Sequence, residues 1–516
     1  MMQPVIYAAL VVAYVALMLA IGYWSMKRTR DVGDFFLGGR TLGPWMSAFA
    51  YGTTYFSAVL FIGYAGRLGW GFGIHTLWIV LGNTFVGTLL AWRILAARTR
   101  DMTARLNVMT MPEFLRARYD SPVLQMISAL IVFLFLVPYS ASVYMGLSYL
   151  FEKAFGLQYN QALVFLALLT GVYLVMGGYF AVAISDFIRG VIEFLGVVVM
   201  VSLLAAMKGG FAATFGALQD PHYAPGLHAP PPPGGPAFPG WLTLVSLVLI
   251  TSFGPWALPQ MVQKFYSIRS RSDVTRAMVI ATVFALFMSF GAYYSGALTH
   301  LFFTDPKSDL APIVDVHTGK PELDKLMPFF ITRFVPQWLV LIILLMVFSA
   351  SMSSLSSLVL VSSSAIAIDL FGGNRRERNP RHTMILMRVL CGIFVIVSLL
   401  IALSRVDVIV NLMVIAWGAL SGAFLAPYLY GLFWRRATRA GAYAGMLSGV
   451  GTAIGLFLLW GKPFIPVAGA IAMVLPLLLM PVISLLTNPP RADVVSRAFG
   501  EAAPQKQAKP ELVGRH

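Results

Sequence analysis

The sequence has little charge and only one cysteine. Charged residues make up 11% of its 516 positions, whereas 58% of the positions are hydrophobic. A water-soluble domain of this size would not stay in solution with that balance, so the chain belongs in a lipid bilayer. Cys391 lies in an apolar run, and a single cysteine excludes an internal disulfide framework.

The sequence also lacks the motifs of ATP hydrolysis and of metal catalysis. It contains no G-x-x-x-x-G-K-[ST] phosphate loop and no H-E-x-x-H pair, and its seven histidines are scattered. No nucleophile–base arrangement is apparent either. We therefore expect neither an enzyme nor an ATP-driven pump, and no cofactor beyond a coupling ion.

Long apolar runs are what the chain has in abundance. A run needs about 17 residues to cross ~30 Å of hydrocarbon, and thirteen runs meet that length. Their approximate spans are 4–24, 45–66, 75–97, 123–151, 160–178, 180–207, 240–258, 278–302, 337–369, 384–404, 407–434, 440–460 and 464–487. They are longer than barrel strands and do not alternate. The fold class is therefore an all-α polytopic membrane protein with about 13 transmembrane helices.

The net charge of +16 raises the question of a nucleic-acid partner. However, the basic residues gather in alternate loops and in the tail. These loops are 27–40, 98–118, 264–276, 375–381 and 435–439, with Lys264 taken as the start of the third. By the positive-inside rule they are cytoplasmic. We thus predict a multi-pass protein of the plasma membrane with its N-terminus outside and its C-terminus cytoplasmic, and no nucleic-acid partner.

Two apolar runs are interrupted at matching places in the two halves of the chain. Residues 50–57 collect small and hydroxyl side chains, and residues 251–259 contain Pro255 and Pro259. A proline has no N–H, so it frees the carbonyl four residues earlier. One such run would be explained by a simple kink with Ser and Thr as partners. Two in matching positions favour broken helices around a mid-membrane binding site.

The ninth run holds the densest hydroxyl cluster. At 100° per residue Ala350, Ser353, Ser354 and Ser357 share one helix face, with Ser356 at its flank. Sodium is a hard cation that takes oxygen ligands, so this face opposite a broken helix indicates a sodium cage. The alternative is close helix packing with the hydroxyls bonded to their own helix.

Three ionisable residues occur together in the sixth run. Asp186, Arg189 and Glu193 share one helical face. Charges inside a membrane are costly and are candidates for function. Arg189 and Glu193 are one candidate pair. Asp186 is then either the anionic ligand of a second cation site or part of a structural ion-pair network, and the sequence leaves both open.

The segments 34–40 (DFFLGGR), 110–119 and 177–186 are three further motifs. Together they resemble the sodium:solute symporter family, which includes sodium/proline, sodium/pantothenate and sodium/sugar carriers, and the resemblance extends from about residue 30 to 436. It implies a LeuT-type fold, an inverted repeat of five plus five helices with two broken helices. In this chain the repeats would be the second to sixth and the seventh to eleventh runs.

The resemblance also implies site residues. The main sodium site would take backbone oxygens of Thr53, Phe56 and Ala350 and the hydroxyls of Ser353 and Ser354. A second sodium site, found in some members, would use Asp186, Ser356 and Ser357. The solute would contact Ser57, Tyr139, Ser142, Thr251, Phe253 and Trp256.

Two positions depart from the family pattern and leave the solute and the stoichiometry open. Proline carriers have an acidic residue where this chain has Tyr55, and many members have Gln where it has Arg189.

These observations give an expected organisation. The segments are a first helix and cytoplasmic loop at 1–44, a first repeat at 45–207, a Pro-rich outer loop at 208–239, a second repeat at 240–434, two accessory helices at 435–487 and a disordered cytoplasmic tail at 488–516. We expect sodium-coupled symport of a small organic solute (amino acid, monocarboxylate or vitamin-like) by alternating access, with no obligate protein partner. Proton coupling, or a channel or sensor on the same scaffold, are the alternatives.

Overall fold

The computed structural model describes residues 40–230, 236–315, 319–371 and 380–500, with positions 9, 12–17, 20 and 23. This part of the chain is helical and forms no β-strand, apart from two isolated β-bridges. Ten of its helices are long and apolar enough to cross a membrane. The total of thirteen is not confirmed, because most of the first run lies outside the described residues and the fifth and sixth runs lie in one continuous helix.

The helices are numbered in chain order. The first eight are α1 Pro44–Tyr55, α2 Ala65–Phe72, α3 Leu77–Leu81, α4 Ala97–Arg105, α5 Met111–Tyr119, α6 Pro122–Phe155, α7 Tyr159–Ala206 and α8 Phe211–Ala217. The others are α9 Gly240–Phe253, α10 Pro259–Ser267, α11 Arg271–Phe302, α12 Pro306–Asp309, α13 Leu326–Phe334, α14 Gln337–Ser364, α15 Pro380–Ser404, α16 Ile409–Phe433, α17 Arg439–Trp460, α18 Ile465–Leu486 and α19 Ala492–Phe499.

Shorter helical segments connect them. The π-helical segments are Val59–Tyr64, Gly82–Leu90, Trp92–Ala96 and Ala365–Leu370. The 3₁₀ turns are Gly73–Thr76, Pro221–Tyr223, Pro225–Leu227, Gly254–Trp256, Ala311–Ile313, Leu323–Lys325 and Lys462–Phe464.

Both predicted interruptions are present. Helix α1 ends at Tyr55, Phe56 is extended (φ −109°, ψ 117°), and the chain turns helical again from Ala58. Helix α9 ends at Phe253 and passes through a 3₁₀ turn before α10 begins at Pro259. The two interrupted helices contain buried backbone that lacks regular helical partners, which is how membrane proteins build mid-membrane sites.

The two breaks touch each other. Pro255 has no N–H to offer the carbonyl of Thr251, and the Tyr55 hydroxyl donates to that carbonyl instead. The π-helical segment Gly82–Leu90 holds both breaks from the side. Its Gly87 carbonyl accepts from the Tyr51 hydroxyl (2.6 Å), and its Val86 carbonyl accepts from Trp256 Nε1 (2.9 Å). Backbone polar groups freed by irregular turns are thus satisfied by aromatic donors.

Helix α14 is continuous and packs against α1, α6 and α7. Its residues from Met346 to Ser364 are all buried. A helix that is buried all round can present hydroxyls to its neighbours without exposing them to lipid, which is what its serine cluster does.

The C-terminal tail begins with a short helix where its composition favoured disorder. Val494 and Ala498 of α19 are buried, and α19 packs against α4 and α5. The Arg105 guanidinium donates to the Ala498 carbonyl at 3.1 Å. Residues 501–516 lie outside the described part.

Asp324 joins the loop between α12 and α13 to two helices. Its Oδ1 lies 3.4 Å from Arg67 Nε on α2, and its Oδ2 accepts from the Ile409 N–H (2.9 Å) at the start of α16. A carboxylate at a helix N-terminus is favoured by the helix dipole. Burial raises the pKa of Asp324, and the Arg67 guanidinium acts in the opposite direction. The charge–dipole contact therefore holds together elements that are far apart in sequence.

We expect Asp324→Ala to lower the free energy of unfolding by about 1–3 kcal/mol, because it leaves Arg67 and the Ile409 N–H without their acceptor. Glu322→Gln is the matched control. Glu322 lies on the same loop, is 30% exposed and pairs with Lys325, so its loss should cost at most about 0.5 kcal/mol. Thermal unfolding in detergent compares the two variants. Equal melting temperatures for both variants would contradict the role given to Asp324.

Candidate ion and solute site

The end of α1 presents backbone carbonyls to α14. The last carbonyls of a helix have no amide partner within it and carry the negative end of the helix dipole. Ser354 Oγ lies 3.2 Å from the Thr53 carbonyl oxygen and 3.3 Å from that of Thr54. All three residues are buried. The arrangement concentrates neutral oxygens and partial negative charge, which suits a small hard cation.

Ser353 extends this group of oxygens to a carboxylate. Its Oγ lies 2.8 Å from Thr53 Oγ1 and donates to Asp186 Oδ1 at 2.7 Å. Asp186 is on α7 and is fully buried. The sequence assigned Ser353 and Asp186 to separate sites, whereas the structure brings them into direct contact through one hydroxyl.

The position of Lys264 differs from the one predicted from the sequence. The positive-inside argument placed it in a cytoplasmic loop, but it lies on α10 and is only 1% exposed. Its ammonium donates to Ser357 Oγ at 3.1 Å, and the same oxygen lies 3.0 Å from Thr54 Oγ1. The prediction was wrong because a lysine stem is long enough to follow a buried helix face, which a charge count along the sequence cannot detect.

Arg189 and Glu193 do not form the pair that their spacing allowed. Arg189 Nη1 lies 3.5 Å from Asp186 Oδ1, and its Nε donates to the Tyr14 hydroxyl at 3.1 Å. The carboxylate oxygens of Glu193 are buried and accept no hydrogen bond from the described residues. Asp186 is therefore a member of an ion pair as well as a neighbour of the hydroxyl cluster.

The remaining ion-site candidates are placed as follows. Ala350 is buried one turn before Ser354 on α14, and Phe56 is buried directly after α1, with its N–H donating to the Gly52 carbonyl at 3.0 Å. Ser356 donates to the Met352 carbonyl of its own helix at 2.6 Å. The Ser356 hydroxyl is therefore bonded to its own helix, as the packing alternative predicted. The hydroxyls of Ser353, Ser354 and Ser357 face other helices.

A small cavity lies between the two breaks. Its volume is about 20 Å³, which is room for one water molecule. It is lined by Tyr55, Phe56, Ser57, Val59, Leu60, Tyr64, Asn83, Thr251, Tyr293, Met413 and Trp417. Tyr55 is stacked on Phe56 with ring centroids 4.4 Å apart, and its centroid lies 5.9 Å from that of Trp417. A solute larger than water can enter only if these aromatic rings move apart.

Two of the six predicted solute residues, Ser57 and Thr251, line this cavity. The other four do not: Tyr139 packs on Trp417 from outside it, Ser142 donates to the Tyr139 carbonyl, and Phe253 packs on Trp256, whose indole N–H is bound to Val86. The rest of the lining includes residues that the sequence analysis did not single out, notably Tyr64, Asn83, Tyr293, Met413 and Trp417. Of these, only Asn83 could have been recognised as a candidate from the sequence, because it is an amide side chain within an apolar run.

Comparison with known proteins decides the family. The model of the sodium:solute symporter family matches residues 35–449, which is most of the chain. The chain belongs to the sodium:solute symporter family. The resemblance of the three sequence motifs is thereby confirmed. Since this is a family of transporters, this symporter is a multi-pass membrane transporter and not an enzyme, and sodium is its coupling ion.

Two relatives that resemble this chain are named as proline carriers. The chain is 28% identical over 456 residues to the osmoregulated proline transporter OpuE of Bacillus subtilis, covering 86% of each chain. It is 29% identical over 471 residues to a sodium/proline symporter of Staphylococcus aureus, covering 88% of this chain and 86% of the relative.

A solved structure shows the fold. A Na⁺-coupled sialic acid symporter, in a substrate-bound outward-open state, matches with a TM-score of 0.77 at 19% identity, over 94% of this chain and 98% of the other. The LeuT-type architecture expected of this symporter is confirmed.

Proposed function

We propose that this symporter carries a small organic solute across the plasma membrane together with Na⁺ by alternating access, with its N-terminus outside and its C-terminus in the cytoplasm. The ion would be held by backbone oxygens of Thr53, Phe56 and Ala350 and by the hydroxyls of Ser353 and Ser354. The observation that carries this proposal is the meeting of the α1 carbonyls with Ser354 in a fully buried position.

The placement of this ion site supports alternating access. Its oxygens come from two elements, the end of α1 and the middle of α14. An ion bound between them stabilises the arrangement in which they are close, and so biases an equilibrium between two conformations. Phe56 directly follows the α1 carbonyls and also lines the cavity. Ion binding therefore orders one wall of the solute cavity, which is the coupling that symport requires.

The solute class that we propose is an amino acid, a monocarboxylate or a vitamin-like molecule. Both relatives described above are proline carriers, which makes proline the first solute to test. The cavity is lined by aromatic, aliphatic and small polar residues without a charged side chain. Tyr64 Oη is buried without a hydrogen-bond partner in the described part of the chain. The Asn83 amide lies beside the Tyr293 hydroxyl, and the Trp417 indole beside the Tyr139 hydroxyl. These polar groups would offer hydrogen bonds to a compact solute held between rings.

The test is solute uptake by purified protein in liposomes. With equal sodium concentrations on both sides and a potential of −100 mV, one ion per solute without net charge provides about 2.3 kcal/mol, enough for roughly fifty-fold accumulation. A monocarboxylate moves with one ion without net charge transfer, so it is tested with an inward Na⁺ gradient as well. A radiolabelled panel of amino acids including proline, monocarboxylates and vitamins identifies the solute. Choline in place of sodium, and vesicles without protein, are the controls. We expect accumulation of at least one panel member only in sodium.

The alternatives predict different results. A proton-coupled carrier would accumulate solute without sodium when a pH gradient is imposed. A channel or sensor on the same scaffold would equilibrate the solute, or bind it, without accumulation against its gradient. Either outcome would overturn the proposal.

A further inference from the structure

Four ionisable side chains form a buried cluster behind the proposed sodium site. Asp186, Arg189 and Glu193 of α7 are 0% exposed, and Lys264 of α10 is 1% exposed. Asp186 interacts electrostatically with Lys264 and Arg189, and Glu193 with Asp186 and Arg189. With all four side chains ionised, two acids face two bases and the cluster is neutral. A further cation would leave an uncompensated charge in a low-dielectric interior, which is costly.

The ammonium of Lys264 contacts a residue that was expected to bind the second sodium ion. Its Nζ is 3.1 Å from Ser357 Oγ, a hydroxyl assigned by resemblance to that site. Asp186, the expected anionic ligand, interacts with the same ammonium. Ser356, the third expected ligand, directs its hydroxyl to the Met352 carbonyl. Each of the three side chains thus has a partner, and two of the three have Lys264.

The broken helix explains how Lys264 reaches this position. Helix α10 begins at Pro259, beyond the second break, and all nine of its residues are buried. Lys264 lies five residues beyond Pro259, and its stem crosses to α14 through packed protein. An ammonium donates hydrogen bonds and carries one positive charge, so it satisfies a hydroxyl and a carboxylate as a bound alkali ion would.

We infer that Lys264 is a tethered cation that replaces the second sodium ion, so that this symporter binds one Na⁺, at the main site only. The inference rests on the proposed function, because it takes the main site to be a sodium site. Unlike a free ion, the ammonium stays in the protein through the transport cycle and moves with α10. It therefore supplies the electrostatic link between α7, α10 and α14 without adding to the driving force.

The test counts the ions that the purified full-length protein binds at saturating ²²Na⁺, with no solute present. We expect one ion per chain in the wild type and two in Lys264→Met, because the neutral side chain vacates the position beside Asp186 and Ser357. Lys264→Met combined with Asp186→Asn should return to one ion, since the anionic ligand is lost. Lys264→Arg, which keeps the charge, is the matched control and should bind one.

The outcomes separate this inference from the proposed function. Two ions in the wild type, or one ion in folded Lys264→Met, would overturn the tethered cation and leave the proposed symport intact. No sodium bound by the wild type would overturn the proposed sodium site itself. If Lys264→Met does not fold, the wild-type count still decides. Ser354→Ala, which leaves Lys264 and Asp186 unchanged, should weaken the binding of the single ion and so assigns it to the main site.

Discussion

Replacement of Ser353 and Ser354 together by alanine is expected to raise the sodium concentration for half-maximal uptake by well over tenfold. The two hydroxyls contact the Thr53 and Thr54 carbonyls, Thr53 Oγ1 and Asp186 Oδ1. Each polar contact to a charged group contributes about 1.5–3 kcal/mol, and ~1.4 kcal/mol is tenfold in affinity. Sodium-dependent uptake, or a sodium titration of thermal stability where the solute is not yet known, measures the change.

Ser351→Ala is the matched control for that variant. Ser351 lies on the same helix and is equally buried, but its hydroxyl donates to the Val347 carbonyl of its own helix at 2.6 Å. We expect its sodium dependence to equal that of the wild type. An unchanged sodium dependence in the double variant would refute the site. A loss of sodium response in Ser351→Ala as well would show that packing of α14 alone is responsible.

The breaks and the hydroxyl face could be predicted from the sequence because their causes are local. Pro255 removes the donor for Thr251 whatever surrounds it, and Ser353 and Ser354 share a face by helical periodicity alone. What the sequence could not give was the partner of each freed group. That Tyr55 satisfies Thr251 depends on how two helices distant in sequence cross.

Tertiary packing also explains the errors. Lys264 lies next to a basic loop in the sequence, and the sequence pattern alone does not show that α10 is buried on all sides. Trp417 and Met413 are single apolar residues within an apolar helix, α16, so no pattern distinguishes the residues that face the cavity from those that face neighbouring helices. Both errors concern which face a side chain occupies, which only the packing of neighbouring helices determines.

A glycine crossing holds α2, the part of the first broken helix that follows the break. Helix α2 and helix α11 cross at Gly69 and Gly296, where backbone meets backbone. A Cβ on Gly69 would overlap the backbone of Gly296, and a Cβ on Gly296 would overlap the carbonyl of Ala65. Small residues are what allow such close contact between membrane helices. Because backbone cannot move aside as a flexible side chain can, the crossing tolerates no added atom without separating the helices.

We therefore expect Gly296→Ala to be the most damaging single methyl group in this region, with a loss of about 3 kcal/mol or more in stability, against a total of about 5–15 kcal/mol for a folded protein. The readouts are the yield of monodisperse protein and the melting temperature in detergent. Gly71→Ala is the control, because it lies on the same helix α2 with no atom within 4 Å of an added Cβ, and it should not reduce either readout. Equal stability of the two variants would mean that α2 and α11 separate at little cost. The position of α2 would then have to be maintained by its other contacts, among them the Arg67–Asp324 pair and the stacking of Trp70 on His300 of α11.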